Sequence, residues 1–163
     1  MHLTALPITV APRGTGTEFL VVPNSGAPRW LLPVEPRLRR SALRLFVPHS
    51  LRGRLYKRLR LYELLPKEIV AVPEVRVLAS TIGNALSRPV KLAFYIGTPG
   101  PFQKVTALVM SETGQALGYA KLASLPASCD SLEHERTTLR VLSDSPNVAR
   151  HVPQVLFWQR DQH

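Results

Sequence analysis

The chain has 163 residues, the length of one ordinary domain or of one lobe of a larger protein. A hydrophobic share of 45% supplies enough apolar surface for a core and excludes a wholly disordered chain, while a single cysteine, Cys129, excludes an internal disulfide framework and an all-cysteine metal site. Twenty-one Lys and Arg against eleven Asp and Glu leave a formal charge of +10, which favours anionic partners: nucleotides, nucleic acid, acidic lipid head groups or an acidic protein.

Fifteen prolines argue for short elements with many turns. No run approaches the roughly eighteen apolar residues of a membrane-spanning helix. Residues 1–7 lack the basic and then apolar pattern of a signal peptide, so the expected compartment is the cytosol.

In chain order, two short apolar runs at 18–22 and 29–34 flank Pro23-Asn-Ser-Gly-Ala-Pro28, which reads as a hairpin. Helices follow over 36–46 and 50–65, separated by Pro48. The second carries Leu51, Leu55, Leu59 and Tyr62 at helical spacing, a stripe expected to pack on a sheet. Between Glu35 and Glu63 these helices hold nine basic residues and no acidic one: Arg37, Arg39, Arg40, Arg44, Arg52, Arg54, Lys57, Arg58 and Arg60. Strands are then expected at 75–78, 90–96, 104–110 and 116–122. The last two are joined by Ser111-Glu-Thr-Gly114, a turn with glycine at its final position. A helix over 130–142 has Asp130 as its cap, with Glu133 completing a capping box, and Leu132, Leu139 and Leu142 as its buried stripe. A final strand is expected at 152–158.

Three features on these elements carry chemistry. The loop after the strand at 90–96 runs Gly97-Thr-Pro-Gly100-Pro-Phe-Gln-Lys-Val105. Backbone without side-chain bulk lets amide hydrogens approach phosphate oxygens. Lys121 lies in the middle of an otherwise apolar strand, where a buried ammonium needs a partner. The following helix offers Glu135 in the pattern Glu135-x-x-x-Leu139-x-x-Leu142.

This ordered set resembles the small lobe of the kinase-like phosphotransferases, the family that includes aminoglycoside phosphotransferases and protein kinases. The resemblance covers about residues 90–160. It implies an α+β fold: an antiparallel sheet of about five strands with one packed helix over 81–163. A basic extension, 1–80, with a hairpin and two helices would precede it. It further implies that Gly97, Gly100 and Val105 belong to a loop covering the phosphates of ATP. Lys121 would contact those phosphates and Glu135 would hold Lys121 in place. Gly100 and Val105 fit G-x-G-x-x-G-x-V, whereas Thr98 and Gln103 occupy the outer glycine positions. Pro99 and Pro101 remove two amide donors, so nucleotide binding is expected to be weak.

Each feature also has a plainer reading. A strand lysine often faces solvent at a sheet edge, a helical glutamate often lies on a solvated face, and Glu133 competes with Glu135 for the lysine. The family's large lobe supplies a catalytic aspartate after His-Arg or His-Gly and a metal-binding aspartate downstream. Asp130, Asp144 and Asp161 match neither context. The chain alone is therefore expected to transfer no phosphate, to offer no metal site and to depend on a missing lobe or a protein partner. The alternative is a binding module acting through Arg37–Arg60 on nucleic acid or an anionic membrane surface.

Overall fold

Residues 11–45, 51–58 and 68–159 are described by the computed structural model of the chain. They form an α+β fold around one six-stranded antiparallel sheet in the order β3-β1-β2-β4-β5-β6. The strands are β1 (Thr17–Val22), β2 (Trp30–Pro33), β3 (Ile69–Val72), β4 (Lys91–Ile96), β5 (Val105–Met110) and β6 (Ala116–Leu122). The helices are α1 (Pro36–Ala42), α2 (Leu51–Arg58), α3 (Val75–Ala85) and α4 (Pro126–Ser143), with 3-10 turns at Leu43–Leu45 and Ala149–His151.

The β1–β2 hairpin forms where the two apolar runs flank the Pro/Asn/Ser/Gly segment. Its turn is held by the Asn24 carboxamide oxygen, which accepts the Ala27 amide at 3.0 Å. The β5–β6 hairpin closes with the Ser111 amide donating to the Gln115 carbonyl at 2.9 Å. Gly114 has a φ of +84° there, and a Cβ at that position would meet the Ser41 hydroxyl of α1 at 2.9 Å. The positive φ of the turn is what favours glycine there, and a side chain would also require the Ser41 hydroxyl to turn aside.

Strand alternation sorts the apolar side chains into two layers. Phe19, Val21, Leu31, Leu92, Phe94, Ile96, Val105, Ala107 and Val109 line one face with Val75 and Ile82 of α3. Leu20, Val22, Leu32, Ala93, Leu108 and Met110 line the other with Ala42 of α1. Both faces being covered, β1 and β5 are apolar almost throughout. Phe19 and Phe94 pack edge to face across β1, β2 and β4, with ring centroids 5.5 Å apart. Burial of each such ring stabilises the fold by about 1.5–3 kcal/mol.

The boundary expected near residue 80 falls inside α3. β2 pairs directly with β4, and the larger core layer draws on residues from 19 to 109. The basic N-terminal portion and the rest therefore share one sheet of six strands; of the about five expected over 81–163, the described residues form three, β4, β5 and β6, and the other three come from the N-terminal portion.

Four local expectations are corrected. Residues 75–78 begin a helix, because Val75, Ala79 and Ile82 recur at helical spacing on the core side while Val77 is 71% exposed. The alternating valines in so short a window imitate a strand. Ile69–Val72, between Glu68 and Pro73, was not anticipated as a strand and forms β3. Helix α4 starts four residues before Asp130: Pro126 occupies its first turn, and the Cys129 amide donates to the carbonyl of Leu125, the N-cap. Asp130 is therefore interior to the helix, and no capping box forms with Glu133. Residues 152–158 make no strand; Pro153 lacks an amide donor, and Trp158 packs instead under the Arg136 guanidinium at 4.9 Å.

The first basic helix is α1 plus a 3-10 turn, and Phe46 lies outside the described residues. The second is described over Leu51–Arg58; Leu59, Arg60, Tyr62 and the rest of the expected span to 65 lie outside the described residues. The leucine stripe expected to pack on the sheet does not do so where it is described: Leu51 is 81% exposed and Leu55 55%. No helix among the described residues is long and apolar enough to cross a membrane.

Candidate functional site

The sheet register aligns four side chains in one row across four strands. Trp30 of β2 is opposite Tyr95 of β4, Tyr95 is opposite Thr106 of β5, and Thr106 is opposite Lys121 of β6. Directly opposite residues in neighbouring strands share a face. The row lies on the face away from Val105, and the loop 97–104 closes one side of it.

At the β6 end, α4 supplies the counter-charge. Ser131 and Glu135 are four apart, so they point the same way from the helix. Lys121 donates to the Glu135 Oε1, forming an ion pair between a half-exposed ammonium and a carboxylate 35% exposed. A second lysine joins it: Lys104 Nζ is 3.9 Å from Glu135 Oε2 and donates to the Ser131 hydroxyl at 2.9 Å. Glu133, the competing carboxylate, pairs with Arg136 at 3.8 Å. Glu135 lies on the side of α4 that carries Leu132, which is buried, with Leu139 and Leu142 half-buried beyond it.

The loop borders an open surface depression of about 530 Å³. Its lining includes Tyr95, Gly97, Gly100, Gln103, Lys104, Thr106 and Ser131. Gly97 donates its amide to the Lys104 carbonyl at 2.9 Å, and Gln103 returns to the Gly97 carbonyl through its side chain at 3.0 Å. Gly100 has a φ of +150°, and the Gln103 amide donates to its carbonyl at 3.0 Å. Among the described residues the amides of Thr98, Gly100 and Phe102 donate to no backbone group.

Gly97 and Gly100 line the depression, whereas Lys121 and Glu135 stand next to it without lining it, connected through Lys104. Val105 does not join them. It is fully buried in the α3-side core and faces away from Lys121, because the odd positions of β5 point into that layer. Lys104, Thr106, Tyr95 and Ser131 were missed in the sequence. The available signal was spacing: Lys104 and Thr106 flank Val105 on the opposite face, and Ser131 precedes Glu135 by one helical turn.

Among the described residues, those of the basic window are not in this depression's lining. Arg37, Arg40 and Arg44 are exposed around α1, Arg39 is half-buried, and Arg54 and Arg58 are exposed on α2. The side chains of Arg52 and Lys57, and Arg60 altogether, lie outside the described residues. Among the described residues no three His, Cys, Asp or Glu side chains cluster as metal ligands.

Comparison with protein-family models, with curated proteins and with solved structures gives no match to this chain.

Proposed function

We propose that the β4–α4 portion is a nucleotide-phosphate-contacting lobe of the kinase-like phosphotransferase type. The observation that carries the reading is the Lys121–Glu135 ion pair standing beside the loop depression. A strand lysine held by a helix carboxylate, next to a loop with free amides, is an arrangement suited to phosphate oxygens. Gly97 and Gly100 keep that loop low, and ATP is the ligand the resemblance suggests. Phosphoryl transfer would need a base and metal-binding carboxylates from elsewhere, since among the described residues no Asp or Glu lines the depression. Titration with a fluorescent ATP analogue tests the reading. Weak binding to the native chain, lost in Lys121→Met without a change in circular dichroism, is the expected result. Undiminished binding by that variant would sink it.

A second reading is favoured by the exposure of Leu51 and Leu55. Four residues apart on α2, they share one side of the helix, with the exposed Arg54 and Arg58 flanking them. Exposed leucines beside arginines suit an anionic lipid surface better than nucleic acid, which offers no apolar layer to receive them. Vesicles containing phosphatidylserine should then bind the chain, and the double change Leu51→Ser, Leu55→Ser should weaken that binding several-fold. Equal, salt-limited binding of native and variant chains to duplex DNA alone would reject the lipid reading.

A further inference from the structure

Glu135 carries one negative charge and stands between two ammonium groups, so the trio retains one positive charge in excess. The two lysines are not held alike. Lys121 engages Oε1 directly, whereas Lys104 remains 3.9 Å from Oε2, beyond hydrogen-bond reach. The short contact of Lys104 is to a neutral group, the Ser131 hydroxyl at 2.9 Å. An ammonium has three donors, so Lys104 keeps capacity for an anion. Its side chain is 24% exposed and forms part of the depression's wall, between the loop and Thr106. The amides of Thr98, Gly100 and Phe102 add further donors in the same loop.

We propose that Lys104 is a second phosphate-contacting cation, the one that brings the uncompensated charge into the depression. The ligand class is an oligophosphate whose neighbouring phosphate groups meet Lys104 and Lys121 together. Both ammoniums reach one carboxylate, so they are close enough for adjacent phosphates to bridge. The proposal rests on the nucleotide-phosphate reading of this depression and extends it to a residue outside the pattern that prompted it.

Calorimetric titration of the full chain with inorganic tripolyphosphate at low salt tests it, using the native protein, Lys104→Met, Lys104→Arg and Lys121→Met. The expected result is a five- to tenfold loss of affinity in Lys104→Met, about what a partly exposed charge-assisted contact contributes. Lys104→Arg should keep most of the affinity, because the charge is retained. If Lys104→Met loses its fold by circular dichroism, Lys104→Gln carries the same comparison. Native-like affinity in Lys104→Met alongside a loss in Lys121→Met overturns the role of Lys104 and leaves the nucleotide reading standing. Equal losses in Lys104→Met and Lys104→Arg overturn it as well, since the loop's shape and not its charge would then be responsible. A native chain that binds neither tripolyphosphate nor ATP removes both.

Discussion

Gly97 closes β4 and opens the loop at a point where the backbone of Lys104 comes very near. A Cβ there would meet the Lys104 carbonyl oxygen at 2.7 Å, and that oxygen already accepts the Gly97 amide. The obstacle is main chain, so it cannot swing aside as a side chain would. Gly97→Ala should cost about 1–3 kcal/mol of stability and widen the loop, moving Lys104 off Ser131. Gly100→Ala is strained differently: open space surrounds it, and only its positive φ resists the substitution. Paired chemical-denaturation curves should therefore show the larger loss for Gly97→Ala. An indistinguishable midpoint in that variant would mean that the close approach to Lys104 is not maintained.

Helix α3 illustrates how a face is chosen at the scale of an element. Val75 and Ile82 are buried against the sheet, with Leu78 and Ala79 partly buried beside them, while Val77 projects to solvent. Ile82→Ala should destabilise the fold by about 2–4 kcal/mol, the cost of a cavity under a packed helix. Val77→Ala should change stability by less than about 0.5 kcal/mol and can slightly favour the helix through the better propensity of alanine. Urea midpoints for the two variants check the ordering, and a larger effect at Val77 would reverse the assigned face. Helix α4 obeys the same rule with a polar residue in the stripe. Its buried side carries Leu132, and Glu135, three residues on and part-exposed, meets the two lysines there.

For the whole molecule the decisive feature is the β2–β4 pairing. Trp30 and Leu31 join Tyr95 and Phe94, and Phe94 in turn packs on Phe19 of β1. A chain beginning at residue 81 would lose β1, β2, β3 and the start of α3. It would expose the β4 edge and one side of Leu92, Phe94 and Ile96. Unpaired edges and bared core residues of that kind do not sustain a small fold. Residues 81–163 alone should therefore give a collapsed amide spectrum by NMR, whereas the full chain gives dispersed resonances and one cooperative transition. A well-dispersed spectrum from the fragment would make the two portions separate folding units.

Local pattern made much of this legible from the residues alone. Paired apolar runs around Pro/Asn/Ser/Gly marked the first hairpin, Gly114 marked the second, and the spacing of Leu132, Leu139 and Leu142 marked the stripe of α4. The order of Gly97, Gly100, Lys121 and Glu135 pointed to one neighbourhood because hairpins and a following helix bring near-sequence residues together. Non-local pairing carried no such mark. Residues 69–72 become a strand only because β1 offers an edge, and 152–158, also largely apolar, do not join the sheet. The face of Val105 and the arrival of Lys104 beside Glu135 depend on register, and a shift of one residue would exchange the two faces. Composition and short-range spacing thus determined which segments could form elements and where charge would gather. Which edge each strand found, and which side chains consequently shared a depression, was decided by packing between residues far apart in the chain.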